Sequence, residues 1–176
     1  MEEEQKAAPG IAGIATKYGL IQGVLAFVVF LVSALAGVQQ NWVTSLISIA
    51  VLVVLMVLAH REFKNTHDAM MTYPQGLGSG TLLSIVSSVV SCALVFVYVK
   101  YINTGYIAAA MHAQQEALAQ RGMTGAQAQQ AMAITSMIMT PAGIVVTSLI
   151  SGVVLGFIVA LIVSIFTQKG DPLAVT

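Results

Sequence analysis

Four long apolar stretches constrain this chain more than anything else in it: Tyr18 to Val38, Trp42 to Ala59, Thr81 to Ile102 and Ala142 to Thr167, none holding an Asp, Glu or Arg. A helix needs about 20 predominantly apolar residues to cross a hydrocarbon layer ~30 Å thick. In lipid every backbone polar group must be satisfied within the chain, which a helix achieves by itself. The expected fold is therefore all-α: a polytopic membrane protein with four transmembrane helices and a further helical segment in the long connection between spans three and four. Hydrophobic residues make up 57% of the chain and charged ones 8%, against roughly a quarter charged in soluble domains. Four spans and their loops consume most of the 176 residues, so no separate soluble domain is expected.

The organisation read from the chain is a flexible N-terminal tail over 1–16, one four-helix membrane domain over 17–170 and a short C-terminal tail over 171–176. Within the domain, Gln39-Gln40-Asn41 predicts a tight hairpin between the first two helices. Residues 60–78 form a polar connection, with Pro74 marking a helix start. Residues 103–141 form the outer connection. There Tyr106 to Arg121 reads as a helix ended by Gly122, and Thr124 to Met139 as a second one, with Thr124 and Gln127 at the spacing of a capping box. Met132, Met137, Ile138 and Met139 make that second segment apolar enough to rest on the membrane surface or to extend the fourth span, with Pro141 as a kink. The first span ends in a small-x-small pattern resembling a cleavage site. Its apolar length and the acidic residues Glu2, Glu3 and Glu4 ahead of it instead predict a true span.

Bases near span ends set orientation. Placing both termini in the cytoplasm puts Lys6, Lys17, Arg61, Lys64 and Lys169 inside and Lys100 and Arg121 outside. The expected location is a bacterial inner membrane with both termini cytoplasmic. Seven bases balance seven acids and no basic run occurs, so nucleic acid is not an expected partner. The lipid bilayer is, together with a membrane protein partner or further copies of the chain.

Helices in lipid associate largely through small side chains that let backbones approach. Gly76, Gly80, Ser84, Ser88 and Cys92 recur every four residues along the third span, Ser148, Gly152, Gly156 and Ala160 along the fourth, and Gly19 and Gly23 on the first. Spans three and four are expected to pack closely, with span one against them and span two, lacking such a ladder in its second half, more exposed to lipid. Lys100 beside Tyr98 and Tyr101 reads as an interfacial anchor. Ser84, Ser87, Ser88 and Ser91 could line a polar path or simply serve packing.

Chemistry-bearing residues are few. His60, Glu62, His67 and Asp68 form a weak polar cluster after the second span, of types that can bind metal or move protons. The two histidines lack helical ligand spacing, and no phosphate loop or nucleophile elbow accompanies them. No catalytic, cofactor or metal site is assigned. The leading expectation is a non-enzymatic accessory or scaffold protein acting through a membrane partner. The alternative is a small oligomeric transporter or lipid-handling protein.

Lys17-Tyr18-Gly19-Leu20-Ile21, Ala59-His60-Arg61-Glu62-Phe63-Lys64 and Tyr98-Val99-Lys100-Tyr101-Ile102-Asn103 resemble a family of small four-span bacterial proteins, the domain of unknown function 4199. Arg121-Gly122-Met123-Thr124 leading to Met139-Thr140-Pro141, and Ala160-Leu161-Ile162-Val163 running to Lys169, are similar to its closing pattern. The resemblance spans residues 16–172 and implies no catalytic motif. It implies envelope or lipid-sugar metabolism as the setting. The alanine- and glutamine-rich segment Gly125 to Ala131 departs from the acidic character expected of relatives there.

Overall fold

A computed structural model describes residues 10–36, 42–66, 70–123 and 125–168. Among the described residues six α-helices follow one another: α1 Ile11–Leu35, α2 Trp42–Thr66, α3 Tyr73–Val97, α4 Tyr106–Gln120, α5 Ala126–Ile138 and α6 Pro141–Thr167, with a π-helical turn Tyr98–Ile102 continuing α3. Four of them, α1, α2, α6 and α3 with its π turn, are long and apolar enough to cross a membrane. The chain is a helical membrane protein. Consecutive spans run antiparallel, so the start of α1, the end of α2, the start of α3 and the end of α6 share one end of the bundle. We call it the His60 end, and the opposite end, where α4 and α5 lie, the Tyr106 end.

Local chemistry sets most helix boundaries. At the start of α3 the Thr72 amide donates to Gln75 Oε1 at 2.9 Å, and Pro74 occupies the first turn. At 25 residues, α1 and α2 reach about 37 Å, more than a hydrocarbon core requires. The extra turns lie at the His60 end. Helix α1 begins at Ile11, inside the stretch expected to be a loose tail, because Ile14 and Ala15 bury against the other helices. Helix α2 likewise runs on to Thr66, through residues expected to be a polar loop.

Helix α4 ends in a Schellman motif. Gly122 adopts φ +72°, the Met123 amide donates to the Leu118 carbonyl at 3.1 Å and the Gly122 amide to Ala119 at 2.9 Å, satisfying two otherwise orphaned carbonyls. Helix α5 is separated from α6. The Thr140 hydroxyl accepts from the Gly143 amide at 3.0 Å and Pro141 opens α6, so the chain breaks and restarts where a continuous kinked helix was one expectation. The expected capping residue Thr124, the Gln39 to Asn41 hairpin, residues 1–9 of the N-terminal tail, the C-terminal tail, Lys6 and Lys169 lie outside the described residues.

Helix α3 is the hub, packed on α1 along one side and on α6 along the other, while α2 closes the bundle against α1 and α6. Glycines set these distances. A Cβ on Gly19 would stand 2.8 Å from the Leu83 carbonyl oxygen and 2.8 Å from Val86 Cβ, and one on Gly23 2.7 Å from Val90 Cβ. On the α3–α6 seam, Gly152 faces Ser88 Oγ, Gly156 lies directly on Ser84, and a Cβ on Gly80 would stand 2.7 Å from Ala160 Cβ. All five small residues of the α3 ladder are buried. The α6 ladder departs from expectation, since Ser148 is exposed while Ser164, one step beyond Ala160, is buried. A row of every fourth residue drifts by about 40° per step on a helix of 3.6 residues per turn. The central helix can bury such a drifting row between two neighbours. The peripheral α6 keeps only part of its row in contact.

The expectation that span two is the more lipid-exposed needs correction. Its first half is exposed, with Trp42, Val43, Leu46 and Ile47 facing outward, but Leu52, Leu55, Met56, Ala59, His60 and Phe63 are buried. These positions recur with helical period on one face. Large side chains, Met56 above all, do there what glycines do elsewhere: Met56 Sδ lies 2.9 Å from where a Gly80 Cβ would stand.

Candidate functional site

At the His60 end, polar side chains of the long helices α1, α2 and α6 form two groups with different environments. His60 follows the apolar run of α2 and is fully buried, at 0% exposure. Its Nε2 lies 3.1 Å from the Gly76 carbonyl oxygen of α3 and its Nδ1 2.8 Å from Thr167 Oγ1 of α6. A carbonyl can only accept, so Nε2 carries a proton and a neutral ring takes the Thr167 hydroxyl proton at Nδ1. Thr167 Oγ1 also lies 2.8 Å from the Val163 carbonyl, so its single proton is shared between that oxygen and Nδ1. One imidazole thus ties three helices. Lys64, a turn further on, donates to the Thr167 carbonyl at 3.1 Å, supplying a cation to the end of α6, where helix carbonyls lack partners.

Glu62 faces the other way, towards α1. Lys17 Nζ donates to both of its oxygens, at 2.9 and 2.7 Å, and the Tyr18 hydroxyl donates to Oε2 at 2.8 Å. The ammonium also stands 5.1 Å from the Tyr18 ring centroid. This group is solvent-facing, with side-chain exposures of 55% for Lys17 and 28% for Glu62. His60 and Glu62 are therefore not brought to one site: the first is a buried tie to α3 and α6, the second a surface clasp to α1. His67 and Asp68 lie outside the described residues. Among the described residues no group of three His, Cys, Asp or Glu side chains gathers in a form that could hold a metal ion.

Residues that sequence reasoning passed over complete this end. Thr167 and the Gly76 carbonyl become partners of α2 only through the fold, and nothing local marks them for it. Gln22 was more legible, as a lone amide inside the first apolar stretch. It is 5% exposed, and its Oε1, like Ser164 Oγ, is a buried polar atom without a hydrogen-bond partner among the described residues. Ser84, Ser87 and Ser88 are buried. Ser84 donates to the Gly80 carbonyl at 2.8 Å while pressed on Gly156, so this face serves contact between helices.

The Tyr106 end is built differently. Phe27 and Phe30 of α1 meet Tyr98 of the π turn, and Phe30 also meets Tyr106 of α4 edge-on, with centroids 5.4 Å apart. The π turn is closed by the Asn103 amide donating to the Tyr98 carbonyl at 2.8 Å; it buries Tyr98 and Val99 while Lys100 stays exposed over the Phe96 and Tyr101 rings, consistent with an interfacial anchor. Beside the rings, between α1, α2 and α4, lies a cavity of about 330 Å³.

Neither a curated protein nor a solved structure matches the chain. The model of a family described as protein of unknown function (DUF4199) matches residues 17–169. That match takes in all four membrane-span helices from Lys17 onward, together with both ends of the bundle, and the chain belongs to the DUF4199 family.

Proposed function

We propose that this protein is a non-enzymatic accessory component of a bacterial inner membrane, oriented with both termini in the cytoplasm, that holds a membrane protein partner through its α4–α5 hairpin. The observation that carries this reading is the state of α5. None of its residues is buried, and its second half presents Ile134, Met137 and Ile138 on view, Met137 at 78% exposure. Its first half is polar, with Gln127, Gln129 and Gln130. A helix that is polar at one end and apolar at the other, and that packs on α4 and α6 without burying any residue, suits a docking element better than a core element. The His60 tie supports the same reading from the other side, since its two ring nitrogens are occupied by partners within the bundle.

A photo-crosslinking residue at Met137, with Ile150 on the exposed face of α6 as a control, tests the proposal in native membranes. One discrete protein adduct from Met137 and none from Ile150 is the expected result. Lipid adducts alone from both positions would overturn it. A second reading, a small transporter or lipid-handling protein, draws its support from the cavity beside α4.

A further inference from the structure

We infer that the cavity at the Tyr106 end is a binding site for a primary ammonium group carried on a short carbon stem. The site goes beyond the docking role of α5, and its test does not involve that helix.

The hydrogen-bonding balance of the lining is the first argument. Polar groups reach the cavity from every wall: Ser33 from α1, Ser48 from α2, Asn103 from the end of the π turn and Tyr106 from α4. The Ser33 hydroxyl donates to the Val29 carbonyl at 2.8 Å and the Ser48 hydroxyl to the Thr44 carbonyl at 3.0 Å. With their protons spent, both serines keep only acceptor lone pairs for a ligand. Asn103 Nδ2 donates to the Tyr98 hydroxyl at 3.2 Å, which fixes the amide with Oδ1 on the side of Gly105, itself a lining residue. That oxygen is a third acceptor, and the Tyr106 phenol can both donate and accept. Acceptors thus outnumber donors. An ammonium brings three donors and no acceptor, whereas each hydroxyl or carbonyl of a neutral ligand would bring a further acceptor short of a partner, at a cost once buried.

Charge and aromatic rings are the second. No Asp, Glu, Lys or Arg stands among the described residues that line the cavity. An anion would meet acceptors and no cation there. A cation is drawn to aromatic rings within about 6 Å, and two line the cavity, Phe30 and Tyr106, with centroids 5.4 Å apart.

Depth and size are the third. Helix α1 ends at Leu35, two residues past Ser33, and α2 begins at Trp42, six residues before Ser48. At a rise of 1.5 Å per residue the two serines lie within about 9 Å of those helix ends. A charge at this level avoids the cost it would meet at the bilayer centre. The volume of about 330 Å³ equals the share of roughly ten waters in the liquid, more than an ammonium alone would fill. Ala109, Ala110 and Ala113 of α4, with Ala26 and Val29 of α1, form the apolar part of the wall and leave room for a carbon stem. The ammonium could belong to the ethanolamine headgroup of a phospholipid or to a free alkylamine, and the chemistry of recognition is the same.

The test uses the full chain in nanodiscs of phosphatidylglycerol, a lipid without an amine, and a hexylammonium probe bearing a diazirine. Labelling is mapped by peptide mass spectrometry. The expected result is label concentrated on residues 26–34, 44–48 and 103–113. Unlabelled butylammonium should compete it away, while butanol, which lacks the charge, and butyltrimethylammonium, which lacks the N–H donors, should not. Competition by phosphatidylethanolamine built into the disc would identify the ligand as a lipid headgroup, and competition by soluble amines alone would identify a free amine. Both outcomes support the ammonium site. Butanol or butyltrimethylammonium competing as well as butylammonium, or label spread evenly over the exposed faces of α2 and α6, would overturn it. Ser33→Ala and Ser48→Ala each delete one oxygen and leave the helix backbone bonds in place. Each should weaken probe binding about tenfold, as expected for loss of a hydrogen bond to a charged group. Ser151→Ala, on the exposed face of α6, should leave binding unchanged. A chain carrying both Ser33→Ala and Ser48→Ala that binds the probe like the wild type would also overturn the inference.

Discussion

The two ends of the bundle solve the same packing problem in opposite ways. At the His60 end α3 meets α1 and α6 through glycine and serine, α2 closes on them through large side chains such as Met56, and one buried imidazole bridges three helices. At the Tyr106 end they meet through large rings, and the alanines of α4 leave space beside those rings. Small residues bring helices into contact along their length, so dispersion contacts are many and nothing is left to fill. Rings hold helices apart and fill only the volume their shape allows. The first end is a closed joint, whereas at the second the described residues leave a cavity beside the rings.

Substitutions that add atoms at the closed joint should do the most damage. Replacing Gly23 by Leu drives a side chain into Val90 and the Ser87 carbonyl, 2.7 and 2.9 Å from the first added carbon. The cost should exceed about 3 kcal/mol, the upper range for overpacking a core, measured as unfolding free energy in mixed detergent micelles. Gly78, with open space around it, should accept Ala with no loss. Removing the bridge comes next. His60→Ala frees the Thr167 hydroxyl and opens a buried space between α2, α3 and α6, and should destabilise by about 2–3 kcal/mol. His60→Gln, able to donate and accept, should recover part of that loss.

At the other end, Phe30→Ala removes one ring of the aromatic cluster. Phe→Ala in a closed core costs 3–5 kcal/mol. Next to an existing cavity fewer contacts are lost, and about 2 kcal/mol is expected. The smallest effect belongs to the surface clasp. Glu62→Gln leaves the Tyr18 contact possible and removes an exposed ion pair of the kind that contributes little, so stability should change within the error of the same assay. A drop as large as that for His60→Ala would mean that the clasp, rather than the buried tie, closes this end.

Much of the fold was legible because bilayer thickness writes itself into apolar length, and Pro74, Gly122 and Pro141 punctuate the chain where helices start and stop. The errors fall where partners are distant in sequence. Ile11 to Thr16 looks too small and glycine-rich to pack, yet Ile14 and Ala15 are held by the far ends of other helices. His60 reads as the first residue of a polar loop, and only residues 16 and 107 positions away make it a buried one. The ladder on α6 was found but displaced by one step, because a repeat of four does not say which stretch of it a neighbour will cover. The cavity left a trace in the alanines of α4, which nothing in one sequence distinguishes from helix propensity.

The contrast between the ends is tested most directly by adding a few atoms to each and measuring unfolding in the same micelles. Gly19→Ala places a methyl group 2.8 Å from the Leu83 carbonyl oxygen, and Ala110→Val adds two to the cavity wall. The account predicts opposite signs: a loss of about 1–3 kcal/mol at Gly19 and no loss, or a gain of up to about 1 kcal/mol, at Ala110. Equal destabilisation by both would show that the Tyr106 end is packed as tightly as the other, and would contradict the account.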